Sequence, residues 1–295
     1  MKIKKQKIVF GLLFSIIFLS CCKKQKTFLA EKSVIKENNR LTGNITIFVH
    51  GTHTATMNRI FKPFIGVPNR IVKVSSLSNR HYMCNIANVL SHTGSEFPWQ
   101  DFYAYGWSGI LCPKEREMAA ENLYSEIKKL ILEYKKQSLD PKITIVTHSH
   151  GGNVALNLAK FKEVDSFLID RLILLAVPVQ KMTSKFVEDS LFNKIYSFSS
   201  SLDLLQVGDP QALYSASKID DKKCPFFSKR FFKPTKNLRQ VKVKINNRAI
   251  FHVEFVMERF IKFIPDLIKQ MDLLDESLYL VKLANGRDIK VIKCS

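Results

Sequence analysis

At 295 residues and 46% hydrophobic content the chain can bury one sizeable core, and no low-complexity tract or internal linker interrupts it. Its net charge of +20 would suit an anionic membrane surface or an acidic substrate. No nucleic-acid-binding motif accompanies that charge, so nucleic acid is not an expected partner, and the excess reads as lysines solvated on the surface.

The chain opens with the positively charged stretch Met1-Lys2-Ile3-Lys4-Lys5-Gln6-Lys7, followed by an apolar run from Ile8 to Leu19 that is too short to span a bilayer. The run ends in Phe18-Leu19-Ser20-Cys21-Cys22. This pattern resembles a bacterial lipoprotein signal, in which cleavage precedes a cysteine that receives lipid. The resemblance implies export, cleavage after residue 20 and lipidation of Cys21, with residues 21–40 as a polar tether to the membrane of the cell envelope. Cleavage would remove Lys2, Lys4, Lys5 and Lys7 and leave 42 basic residues against 26 acidic ones, a net +16.

The main domain is expected over residues 41–275. Ile45 to Val49 reads as a buried strand, and His50-Gly51-Thr52-His53 follows it. Residues 54–99 are irregular, with one helix expected around Arg80 to Leu90, and Asp101 to Tyr105 is a short strand leading into Gly106-Trp107-Ser108-Gly109. Lys114 to Lys136 carries the clearest helical pattern, with Ala120, Leu123, Tyr124, Ile127, Leu130, Ile131 and Tyr134 on one stripe. Further strands are expected at Ile143–Val146, Arg171–Val177, Lys194–Phe198 and Leu238–Ile245, with helices over 153–160 and 254–271. A basic segment from Ser215 to Asn237 reads as a surface loop, and residues 276–295 around Asn285-Gly286 as a β-hairpin extension. Strands alternating with helices at these distances predict an α/β fold built on a doubly wound, mostly parallel sheet.

The most informative segment is Thr147-His148-Ser149-His150-Gly151-Gly152, set between a β-branched run and a helix. A serine hydroxyl needs a base to take its proton, so its oxygen must stand clear of the backbone. A sharp strand-to-helix turn provides this and aims the next backbone N–H, that of His150, at a developing oxyanion. At these residues the chain resembles the α/β-hydrolase superfamily, and more narrowly its bacterial lipase- and esterase-like members with a His-Ser-His-Gly-Gly core. It departs from the usual pattern at Thr147, where glycine is customary, so the turn must open or the hydroxyl must pack locally.

The resemblance implies a triad in the chain order serine, acid, histidine. Of the seven histidines only His252 lies beyond His150 and can be the base. Asp203, after the 194–198 strand, is the expected acid; Asp209 before Pro210 is the alternative, and Asp170 stands before a strand, at the wrong edge of the sheet. By the same resemblance Gly51 admits the oxyanion and Thr52 N–H is the second donor beside His150. Trp107-Ser108-Gly109 with Arg116 and Ala119-Ala120 matches a pattern in related esterases and reads as structural.

His50, His53, His148 and His150 could form a metal site, but no Asp, Glu or Cys stands among them and the oxyanion loop already accounts for the segment. A triad of this kind needs no cofactor. Cys84, Cys112, Cys224 and Cys294 match no metal motif and allow one or two disulfides or lone thiols. The function expected is a membrane-tethered serine hydrolase of carboxylic esters, with an acyl ester or lipid as substrate. The alternative is an envelope lipoprotein that keeps the fold for binding. The sequence sets no oligomeric state.

Overall fold

The computed structural model describes residues 43–52, 69–79, 81–164, 166–206, 231–274, 278–283 and 289–293. The lipoprotein-type signal, Cys21 and the tether lie outside them, as do His53, Asp209, Cys224 and Cys294. Among the described residues no helix is long and apolar enough to cross a membrane.

The centre is one sheet of β1 (Ile45–Val49), β2 (Ile71–Lys73), β3 (Phe102–Tyr105), β4 (Ile143–His148), β5 (Ile169–Leu175), β6 (Phe192–Ser199), β7 (Leu238–Ile245), β8 (Arg248–Ala249), β9 (Leu278–Leu283) and β10 (Ile289–Lys293). The order across it is β10-β9-β7-β6-β5-β4-β1-β3-β2, with β8 paired to β7. Every pairing from β3 to β9 along that order is parallel. Among the described strands only β2, β8 and β10 run antiparallel to their neighbours. This is the mostly parallel α/β architecture expected from the alternation of apolar runs and amphipathic helices.

Parallel strands buried on both faces need helices on both, and the strands supply two apolar surfaces by simple alternation. Ile47, Val49, Ile145, Leu172 and Leu174 face one layer, which contains α2 (Pro113–Lys136) and α3 (Gly151–Asn157). Phe48, Val146, Ile173, Tyr196 and Val241 face the other, against α1 (Tyr82–Thr93) and the C-terminal helices. Helix α2 buries the predicted stripe and adds Arg116 and Ala119 to it. Pro113 starts it where a missing N–H costs nothing, and Glu115 near its start and Lys135 and Lys136 near its end complement its dipole.

Three expectations are corrected. The helix read over 254–271 is broken into a 3-10 turn (His252–Val256) and two helices after a short α4 (Lys181–Ser184), namely α5 (Glu258–Ile261) and α6 (Ile264–Met271). Met257 is extended and Pro265 opens α6, so a continuous backbone ladder is interrupted twice. The helix after the nucleophile strand is α only to Asn157 and continues as a 3-10 turn to Phe161. The irregular stretch before Trp99 contains β2, whose three residues carry too little pattern to be read as a strand. The C-terminal hairpin is present, and β9 pairs in parallel with β7, so the hairpin extends the sheet instead of standing apart from it.

Ile173 is fully buried at mid-sheet between Val146 and Tyr196. Replacing Ile173 with Ala is expected to lower stability by about 2–5 kcal/mol, measured by urea denaturation with an unchanged slope.

Candidate active site

Ser149 follows directly on β4 and has φ +53°, a left-handed conformation that few non-glycine residues adopt. The turn is tied on both sides. The Ser149 N–H donates to Leu175 O at 2.9 Å, and Ser149 O accepts from the Gly152 N–H at 3.0 Å. The following helix lies so close to β1 that only glycine fits. A Cβ on Gly151 would stand 2.3 Å from the His50 carbonyl oxygen and 2.5 Å from that of Val49. One on Gly152 would stand 2.3 Å from Val177 Cγ2. Thr147, where glycine is customary, is accommodated by local packing: it is fully buried and its hydroxyl donates to Ile173 O at 3.1 Å.

His252 and Asp203, read separately from the sequence, meet. His252 Nδ1 lies 2.9 and 3.0 Å from the two carboxylate oxygens of Asp203. A carboxylate only accepts, so Nδ1 carries the proton and the Nε2 lone pair is left to act as a base. Asp203 is fully buried just beyond the carboxyl end of β6, and its Oδ1 also accepts the Gln206 N–H at 2.9 Å. The loop that carries His252 is held to the acid loop by the Ile250 N–H, which donates to the Ser200 hydroxyl at 2.8 Å. Buried Glu254 accepts the Phe251 N–H at 2.6 Å and pairs with Arg248 and Arg259 at 2.8 and 2.5 Å.

His252 also lies beside the nucleophile turn. Its carbonyl accepts from His148 Nε2 at 3.1 Å, and the two imidazole centroids are 4.6 Å apart. Among the described residues the Ser149 hydroxyl itself makes no hydrogen bond. Such contacts are often long without substrate and tighten when it binds.

The loop after β1 packs against the serine from the other side, since a Cβ on Gly51 would be 2.8 Å from Ser149 Cβ. The buried Thr52 hydroxyl has no hydrogen-bond partner among the described residues. Gly51 thus stands against the serine, with Thr52 next to it on this loop and His150 next to the serine in the chain. His50 fixes this loop: its Nε2 accepts the Trp107 N–H at 3.1 Å, and its Nδ1 donates to Gly51 O at 2.7 Å. The Trp107 indole N–H returns to His50 O at 2.8 Å. Both ring nitrogens of His50 and one of His148 are thus engaged in fixing loops.

Arg116, expected only as part of a structural pattern, is fully buried and donates to Gln180 Oε1 at 3.3 Å. Burial, then the positive charge of Arg116 and that of a protonated His252, push His150 down to about 3. His150 is thus neutral at working pH, and its buried Nδ1 has no hydrogen-bond partner among the described residues. Neither Glu254 nor the tie from His148 to His252 was foreseen; adjacency to Ser149 was the one available signal for His148.

No family model matches the chain, and none of the curated proteins matches it. Among solved structures it is similar to carboxyl esterase 2 (TmelEST2) of Tuber melanosporum, with 10% identity, a TM-score of 0.35 and coverage of 83% of this chain and 70% of that one. Est1E of Butyrivibrio proteoclasticus, solved with ferulic acid, has 12% identity, a TM-score of 0.39 and coverage of 80% and 91%. A lipase-esterase related protein of Clostridium acetobutylicum has 14% identity, a TM-score of 0.29 and coverage of 83% and 87%. At these values the likeness assigns no activity.

A histidine held below its unfolded value of 6.5 contributes stability that is complete above that pH and is lost as pH falls toward about 3. Unfolding free energy should therefore fall on acidification through this window, and the His150→Gln variant should fall less steeply in parallel denaturation series at pH 7, 5 and 4.

Proposed function

We propose that the protein is a serine hydrolase that cleaves carboxylic esters with an apolar acyl group, tethered to a membrane through lipidated Cys21. The observation that carries the reading is the left-handed Ser149 at a strand-to-helix turn, with a His252–Asp203 pair at 2.9 Å on the neighbouring loops.

In this reading Ser149 Oγ attacks the acyl carbonyl while His252 Nε2 takes its proton. The His150 and Thr52 N–H groups receive the oxyanion, and Asp203 stabilises the imidazolium without becoming protonated. His252 returns the proton to the leaving alkoxide. Water, deprotonated by the same base, then releases the acyl group and restores the serine. Amide and thioester carbonyls would follow the same path. The support for an apolar substrate is local: Leu202 and Leu204 flank the acid and Phe251 precedes the base, and their side chains are 40%, 52% and 36% exposed. Apolar residues left in water around such a site suit an acyl chain or a lipid surface.

One observation favours the second reading, a fold kept for binding: the Ser149 hydroxyl has no hydrogen bond to its expected base. Activity decides between the two. The purified full-length protein should react with a fluorophosphonate probe and turn over short p-nitrophenyl esters. Ser149→Ala and His252→Ala should abolish labelling, and Asp203→Asn should lower kcat by about 10³–10⁴-fold. A folded wild type that neither labels nor turns over, with or without detergent, would overturn the hydrolase reading and leave the binding one.

The tether has its own test. Cells given an alkyne fatty acid should yield a labelled, membrane-sedimenting protein, and Cys21→Ala should lose both the label and the sedimentation. An unlabelled wild type would remove the anchor from the proposal.

A further inference from the structure

The hydrolase mechanism assigns work to Ser149, Asp203, His252 and the oxyanion donors, and none to the imidazole between them. His148 is the last residue of β4, directly before the nucleophile. Its Nε2 is 3.1 Å from the carbonyl oxygen of His252. A carbonyl only accepts, so Nε2 carries a proton and donates it. The two rings pack at 4.6 Å with a tilt of 48°. On its other side, a Cβ on Gly51 would lie 3.3 Å from His148 Nδ1, so the same ring borders the loop of the oxyanion donors.

Other hydrogen bonds and ion pairs of the His252 loop among the described residues run elsewhere. Ser200 and Asp203 join it to the acid loop after β6, and Glu254 closes it upon itself and on Arg248 and Arg259. These contacts orient the imidazole relative to its acid. The hydrogen bond from His148 joins the base loop directly to the segment that carries Ser149.

Resting on the hydrolase reading above, we propose that His148 is a positioning residue: its Nε2–H holds the backbone of His252 so that the base reaches Ser149 Oγ. A general base works over a span of a few tenths of an ångström, and a shift of about 1 Å can cost on the order of 100-fold in rate. The role calls for a donor at this place and not for an aromatic ring.

Two substitutions in the full-length protein separate donor from ring. His148→Phe keeps a ring against His252 and removes the donor. His148→Gln keeps an N–H at similar reach. For a short p-nitrophenyl ester, His148→Phe should lower kcat by about 10–100-fold, the range of lost supporting contacts, with KM within about twofold. The rate of fluorophosphonate labelling should fall in step, and His148→Gln should recover most of both. Thermal melting reports folding alongside; His148→Leu replaces the phenylalanine variant should that one not fold.

A donor-free variant with wild-type kcat overturns the inference, and so does a glutamine variant as impaired as the phenylalanine one. A wild type inert toward both ester and probe instead overturns the hydrolase reading and takes this inference with it. Active wild type with an indifferent His148→Phe rejects the positioning role alone.

Discussion

Everything at the candidate site follows from one residue held in the wrong half of conformational space. A left-handed non-glycine residue costs roughly 1–2 kcal/mol, and Ser149 bears that cost at the edge of the central strand. The surroundings over-determine it. Its N–H is committed to Leu175 across β5, its carbonyl to Gly152, and the helix after it is seated against the carbonyls of Val49 and His50. Close approach is possible only because Gly151 and Gly152 have no Cβ, so the double glycine is a packing requirement of the turn. Thr147 shows the tolerance on the other side. Its hydroxyl finds the Ile173 carbonyl, which turns an apparent departure from the glycine pattern into a buried hydrogen bond.

The rest of the site is a problem of bringing loops together. In a parallel sheet the carboxyl ends of all strands lie on one edge, so the loops after β1, β4 and β6 and the turn after β8 converge there without long excursions. What the edge does not supply is accuracy, and polar contacts add it. His50 and Trp107 lock the loop after β1, Ser200 links the acid and base loops, and Glu254 closes the base loop with two arginines. The His50, Ser200 and Glu254 contacts each engage a backbone group, which restricts the rotameric freedom of the loops that carry them.

The electrostatics point the same way. Buried Arg116 lies near enough to His150 to disfavour its protonation, and burial does more. A neutral His150 beside the serine places no further positive charge next to the His252–Asp203 pair.

How much of this was legible beforehand depended on whether the signal was local. The strand at Ile45–Val49, the stripe of α2, the elbow with its glycines and the Leu238–Ile245 strand are written in short-range periodicity and turn chemistry, which act over a few residues. Asp203, with Asp209 as the alternative, and His252 could be proposed because the family resemblance implies the order serine, acid, histidine along the chain. The break at Met257 escaped a reading in which apolar spacing looked continuous, and β2 was too short to carry any period. The tie from His148 to a carbonyl 104 residues away, the pairing of Glu254 with two arginines and the closeness of Arg116 to His150 have no sequence signature. A hydrogen bond or an ion pair is decided by distances of a few tenths of an ångström between segments far apart in the chain. The sequence by itself singled out the candidate residues and the elements on which they would stand. Only the tertiary structure decided which of them meet, because that depends on how whole layers pack.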